Sequence, residues 1–290
     1  MNIHIYLTKY APPLSGKTVA VSGATGGLGN ALCRHLAYLG ASLIMLDRNE
    51  ERSLKFAEVL KSEYPNLKTS YIHLDLEDIS SVRDAAEALE KDLPDYLILN
   101  AGAYHIPRKK CLTGYNNVFQ INFSSPYYLA ERLKGAIAKK GGKIIAVGSI
   151  AHGYSKADPC DTDFSLRKKS SLVYGNAKRY LMYSLSALCD PAIAIAHPGI
   201  TFTNITAHYP KLIFSIIKHP MKIIFIKPKS ASLSVIYAMG NDVPNGSWVG
   251  PMLFDIWGKP KAKKLKSISE KEYSHIKSVA EKNKGIIENS

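Results

Sequence analysis

From Lys17 onward the chain alternates between short apolar, β-branched runs and longer stretches in which apolar residues recur at helical spacing. The runs predict strands at Thr18–Ser22, Ser42–Leu46, Thr69–Leu74, Tyr96–Asn100, Lys143–Val147 and Ala192–Ala196. The stretches between them predict helices at Gly27–Leu39, Glu50–Glu63, Ser80–Lys91, Thr113–Ala138 and Ser171–Leu188. Strand–helix alternation of this kind specifies α/β architecture with a parallel sheet, and nearly all-apolar strands fit a doubly wound, three-layer α/β/α arrangement covered on both faces. No repeat and no long linker divides the chain, so one Rossmann-like domain is expected over 15–266, with an extension at 1–14 and a lysine-rich helical tail at 267–290.

Composition narrows the classes. The 290 residues are 46% hydrophobic, enough for a sizeable core. Cys33, Cys111, Cys160 and Cys189 form no CxxC pair, and no HxxxH or HExxH pattern occurs, so neither a disulfide scaffold nor a metal centre is expected. The residues fit a reducing, cytoplasmic setting, and the N-terminus reads as lacking a secretory signal. The net charge is +14, of which +8 falls between Lys211 and Ser290. A solvated lysine-rich face, an anionic membrane surface and an acidic ligand all remain open as readings. Nucleic acid is not expected, because the lysines lack interleaved aromatics, arginines or a recognition motif.

The first strand runs into Ser22-Gly23-Ala24-Thr25-Gly26-Gly27-Leu28-Gly29 and then an apolar helix. Glycines are required where a chain turns sharply from strand to helix and where a backbone touches a pyrophosphate, which the helix N-terminus then attracts. Asp47 follows Gly23 by 24 residues at the end of the second strand, where it would bond the adenosine ribose hydroxyls. Arg48 pulls the other way, toward a 2′-phosphate. Asp47 at the strand end, and no basic residue before Gly27, favour NAD over NADP. Asn49 and Glu50 also read as a helix cap.

The chain resembles the short-chain dehydrogenase/reductases over Leu14–Gly258. The resemblance rests on the GxxxGxG turn and on six further matches in order: Asp75-Leu76, Asn100-Ala101-Gly102, Asn122, Ser149 after the fifth strand, Tyr174-Gly175-Asn176-Ala177-Lys178 as YxxxK, and Pro198-Gly199-Ile200-Thr201-Phe202-Thr203 as PGxxxT. It implies a nicotinamide-dependent oxidoreductase with Asn122, Ser149, Tyr174 and Lys178 as the catalytic set. It further implies that Lys178 holds the nicotinamide ribose, that Asn122 orders a water, and that Thr203 holds the carboxamide. The chemistry needs such residues whatever the name. An alkoxide must gain or lose a proton, and a tyrosine, with a pKa of about 10, needs a cation such as Lys178 one helical turn away. Ser149 would hydrogen-bond the substrate oxygen. A non-catalytic dinucleotide sensor with this fold is the alternative.

The 24 residues between Ser149 and Tyr174, Ala151-His152, Asn245-Gly246, Gly250-Pro251 and Trp257-Gly258-Lys259-Pro260 resemble the retinol dehydrogenase and protochlorophyllide reductase branch, which implies an apolar alcohol or carbonyl substrate. Leu212–Ile226, apolar but broken by cations and Pro220, would fit a substrate lid at about 204–228, a homodimer contact, or a membrane-surface segment over 211–229. It is too short to span a bilayer.

Overall fold

The computed structural model describes residues 2–158, 167–200 and 226–290. The lid expected at 204–228 and Thr203 lie almost wholly or wholly outside the described residues.

An eight-stranded sheet forms the middle layer, in the order β3-β2-β1-β4-β5-β6-β7-β8. Its strands are β1 (Thr18–Ser22), β2 (Ser42–Asp47), β3 (Thr69–His73), β4 (Tyr96–Leu99), β5 (Lys143–Val147), β6 (Ile193–Ala196), β7 (Ser247–Leu253) and β8 (Trp257–Lys264). All neighbours are parallel except β7 and β8. The order reverses between β1 and β4, and the carboxyl ends of the strands beside that switch point form the crevice in which such sheets bind ligands.

One layer holds α1 (Ile3–Tyr10), α2 (Gly27–Tyr38), α3 (Glu50–Glu63), and, after β6, α8 (Pro228–Ala231) and α9 (Leu233–Gly240). Its core contains Leu7, Leu32, Leu36, Leu60 and Ile236 against Val19, Val21 and Val249. The opposite layer holds α4 (Ile79–Lys91), α5 (Asn117–Phe119), α6 (Ser125–Lys139), α7 (Ser170–Ala187) and α10 (Glu270–Glu288), packing Val82, Leu133, Tyr180 and Ile276 against Ala20, Leu97 and Ile144. Local chemistry starts several helices: Asn49 accepts from the Arg52 N–H at 2.7 Å, Asp78 from Ser80 at 3.0 Å and Ser269 from Glu272 at 3.3 Å.

Four features differ from the sequence reading. β3 lies at the sheet edge, so its residues are not buried on both faces. The long helix expected from Thr113 begins at Asn117 and passes through a π-helical turn, Gln120–Ser124, before α6. The expected extension is a docked helix, with Tyr6 and Leu7 buried. β7 and β8 extend the sheet where the sequence showed no strand, because β8 is lysine-rich and gains its structure from antiparallel pairing with β7. The C-terminal segment is likewise packed down, with Glu272, Ile276, Ala280, Asn283 and Ile287 buried.

Candidate active site

The glycine turn leaves β1 and opens α2. Gly23 has φ +66°, and a Cβ on Gly29 would stand 2.0 Å from the Gly23 carbonyl oxygen. No side chain caps α2 at Gly26, so its first N–H groups are left to an anion. A pyrophosphate fits a cradle of this kind, which a side chain would fill. Gly29→Ala is accordingly expected to destabilise the fold by about 1–3 kcal/mol and to abolish dinucleotide binding, measured by thermal melting and fluorescence titration. Ser22 braces the turn: its hydroxyl accepts from Asn100 and Ala101 N–H at 2.9 and 3.0 Å, while Asn100 Nδ2 donates to Ser22 and Gly23 carbonyls at 2.9 and 3.2 Å.

Asp47 ends β2 facing this turn. Its carboxylate accepts from the Ser53 hydroxyl at 2.9 Å, the Thr25 hydroxyl at 3.1 Å and the Thr25 N–H at 3.3 Å. Burial pushes its pKa up, against those hydrogen bonds. The Arg48 side chain is exposed, 4.0 Å from Asp75. Leu76 lies in the core, where its carbonyl accepts from Ser125 at 2.7 Å.

Parallel strands deliver the remaining residues to one edge. Ser149 follows β5, and Tyr174 and Lys178 sit one turn apart on α7. The Ser149 hydroxyl stands near enough to the Tyr174 phenol to favour its ionised form and accepts from Ala151 N–H at 3.2 Å. Lys178 Nζ donates to the Val147 carbonyl at 2.8 Å and lies 5.8 Å from the Tyr174 ring centre. A Cβ on Gly102 would stand 2.8 Å from Asn122 Oδ1 and 3.7 Å from Lys178 Nζ, so the Asn100-Ala101-Gly102 segment passes directly over both. Asn122 occupies the π-helical turn; its amide donates to the Ala103 and Val118 carbonyls at 2.8 and 2.9 Å, and its oxygen accepts from Ala103 N–H at 3.3 Å. The widened turn explains a poor helix former inside a helical segment. Pro198, Gly199 and Ile200 continue from β6, with Gly199 at φ +85° and packed against Ile226.

The electrostatics modify the sequence argument. Burial pushes the Tyr174 phenol up to about 12, and the nearby Ser149 hydroxyl opposes that only in part. Burial likewise pushes Lys178 down to about 8. Desolvation is the largest influence on both groups, whereas the sequence pointed to Lys178 lowering the phenol, so Tyr174 is protonated at neutral pH.

Several residues around the site were missed. Tyr104 meets the Tyr174 ring edge-on at 5.4 Å, and Tyr154 stands half-exposed nearby. Arg179, beside Lys178 in sequence, pairs bidentately with Glu272 of α10 at 2.6 and 3.0 Å and donates to the His152 carbonyl at 3.0 Å. Asn283 exchanges hydrogen bonds with Ser124, at the end of the π-helical turn, at 2.6 and 2.9 Å. Nothing local marks these partners, which are over 90 residues away in the chain. Among the described residues no cluster of His, Cys, Asp or Glu could hold a metal ion.

Comparison with known proteins agrees with this geometry. The short chain dehydrogenase family model matches residues 17–158. Polyprenol dehydrogenase of Mus musculus is 26% identical over 78% of this chain and 72% of its own length. Retinol dehydrogenase 12 of Mus musculus is 31% identical over 67% of this chain and 64% of its own. The crystal structure of an uncharacterized protein from Mycobacterium Paratuberculosis superposes with a TM-score of 0.73 at 23% identity, over 95% of this chain and 96% of that one, and so shares the fold. With its glycine turn and its Ser149, Tyr174 and Lys178 at the carboxyl edge of the sheet, the chain belongs to the short-chain dehydrogenases, on their retinol dehydrogenase-like branch, as an oxidoreductase acting on CH–OH or C=O groups with a nicotinamide cofactor.

Proposed function

We propose that this enzyme interconverts an apolar alcohol and its aldehyde or ketone, with Tyr174 as general acid and base. The observation that carries the reading is the meeting of the Ser149 hydroxyl, the Tyr174 phenol and the Lys178 ammonium beside Gly102 and the glycine turn. In the reducing direction the Tyr174 O–H donates its proton to the substrate oxygen as negative charge develops there, while Ser149 holds that oxygen by a hydrogen bond. Lys178 favours the tyrosinate that this leaves, and Asn122 fixes the backbone at Ala103 beside it. In the oxidising direction the tyrosinate takes the alcohol proton. A bound nicotinamide would supply or accept the hydride, held by Gly23, Thr25, Gly26, Gly27, Leu28 and Gly29, by Asp47, Arg48, Asp75 and Leu76, by Asn100, Ala101 and Gly102, by Tyr174 and Lys178, and by Pro198, Gly199, Ile200 and Thr203.

Tyr104 and Tyr154 border the reacting hydroxyl with aromatic surface, and the relatives are named for polyprenol and retinol, both apolar alcohols. Both points support an apolar substrate. NAD is the proposed preference, because Asp47 is fixed at the end of β2 against Thr25 of the turn; exposed Arg48 is its counterweight. The basic C-terminal quarter supports a cytoplasmic enzyme lying peripherally on an anionic membrane that holds such a substrate, and a homodimer is compatible with that location. No described helix is long and apolar enough to cross a membrane.

Fluorescence titration with NADH and NADPH, followed by a panel of aldehydes and ketones, tests the proposal. Tighter NADH binding and turnover of long apolar carbonyls are expected. Tighter NADPH binding transfers control to Arg48, and turnover confined to polar carbonyls overturns the substrate class.

A further inference from the structure

The hairpin from β7 to β8 makes a turn that its residues resist. Phe254 and Asp255 fill both central positions with φ of +52° and +59°, and the Ile256 N–H closes the turn on the Leu253 carbonyl at 3.0 Å. Two-residue turns of this hand favour Asn-Gly, since larger side chains crowd a left-handed backbone; for a bulky residue the conformation is a strained outlier. The phenyl group gains no burial in return. Phe254 is 83% exposed, Met252 50% and Leu253 49%. Three consecutive apolar side chains thus stand in water at a turn where Asn-Gly would be both less strained and more soluble. Backbone strain and an exposed apolar patch in one place mark a contact surface.

Charge identifies what it contacts. β8 carries Lys259 and Lys261 exposed behind the tip, and the hairpin's one acid, Asp255, is already paired with Lys263. At ~3.3 Å per residue these lysines stand roughly 7 and 13 Å behind Trp257, from where their long side chains reach forward to lipid headgroups when the tip is immersed. An apolar protein surface would match the tip but not the cations, and a second copy of this chain, itself +14, would bring lysines toward lysines. The hairpin also adjoins the site: the His197 ring bonds the Asp255 carbonyl at 3.1 Å, and the Ile256 carbonyl oxygen is 2.9 Å from where a Cβ on Gly199 would stand.

We infer that Met252, Leu253 and Phe254 insert into an anionic phospholipid surface, with Lys259 and Lys261 on the headgroups, and that this holds the mouth of the active site against the membrane. The inference rests on the peripheral membrane location proposed above and assigns it to one element. It is tested on the full chain by co-sedimentation with vesicles of phosphatidylcholine alone and of phosphatidylcholine with phosphatidylserine. Wild type binds the anionic vesicles. Phe254→Asn weakens that binding by roughly tenfold or more, yet raises Tm by about 2 °C, because Asn tolerates the left-handed turn. Lys259→Gln and Lys261→Gln each weaken it about fivefold. Dinucleotide affinity stays at the wild-type value in all three.

No binding of wild type to anionic vesicles overturns both the inference and the membrane location. Undiminished binding by Phe254→Asn overturns the hairpin's role and leaves the location to other basic elements. A fall in Tm makes Phe254 structural and overturns the inference. So does a change of oligomeric state by light scattering, which reassigns the tip to a second copy of the chain.

Discussion

Tyr174→Phe is expected to lower turnover by roughly 10²–10⁴-fold while leaving dinucleotide affinity within about twofold, because the ring keeps its contact with Tyr104 and loses only the hydroxyl, while the glycine turn and Lys178 still hold the dinucleotide. Stopped-flow reduction and cofactor titration on the same preparation separate the two effects. The pH profile carries the sign of the mechanism. Burial pushes Lys178 down to about 8, so its charge is present below that pH and lost above it. Reduction, which needs the phenol protonated and the tyrosinate stabilised as it forms, falls as pH rises through about 8. Replacing Lys178 by Met removes that inflection along with most of the activity. Wild-type turnover by Tyr174→Phe would sink the mechanism outright and assign the proton transfer to another group.

The second large effect concerns stability. Arg179 and Glu272 are 10% and 7% exposed and bidentate, and the same carboxylate accepts from Ala157 N–H at 2.6 Å. Arg179→Ala leaves a buried carboxylate without its partner, which costs about 3–5 kcal/mol. Urea unfolding measures it. Because Arg179 also holds the His152 carbonyl three residues beyond Ser149, turnover falls further than the folded fraction alone accounts for. Burial by itself would raise the Glu272 carboxyl; the hydrogen bonds from Arg179 and Ala157 outweigh it and hold the pKa below the usual carboxylate range. The sign follows from linkage: the pair's contribution is complete above the ordinary pKa of ~4.3 and is lost as pH falls through the lower folded value. Glu272→Gln flattens that acid limb. An unchanged limb would mean that other carboxylates govern acid unfolding.

What the amino-acid order determined by itself was local or periodic. Thr18–Ser22 and Lys143–Val147 form strands over the residues expected, and Glu50–Glu63 forms its helix without a shift. Glycine spacing specified the turn, because only glycine fits where Gly29 meets the Gly23 carbonyl. The one-turn spacing of Tyr174 and Lys178 placed them on a common helical face, and order along the chain placed Ser149 after a strand. Each of these depends on a few neighbouring residues, so it can be read from sequence.

What tertiary structure decided needed two distant segments or a balance of environments. The edge position of β3 and the existence of β8 come from pairing partners, since Lys-rich β8 has no strand signal without β7. The Arg179–Glu272 and Ser124–Asn283 contacts cross 93 and 159 residues, so the dependence of the catalytic helix on α10 was invisible until the chain was folded. Desolvation decided the titration of Tyr174, because how much water a phenol loses is set by everything packed around it and not by the lysine four positions along.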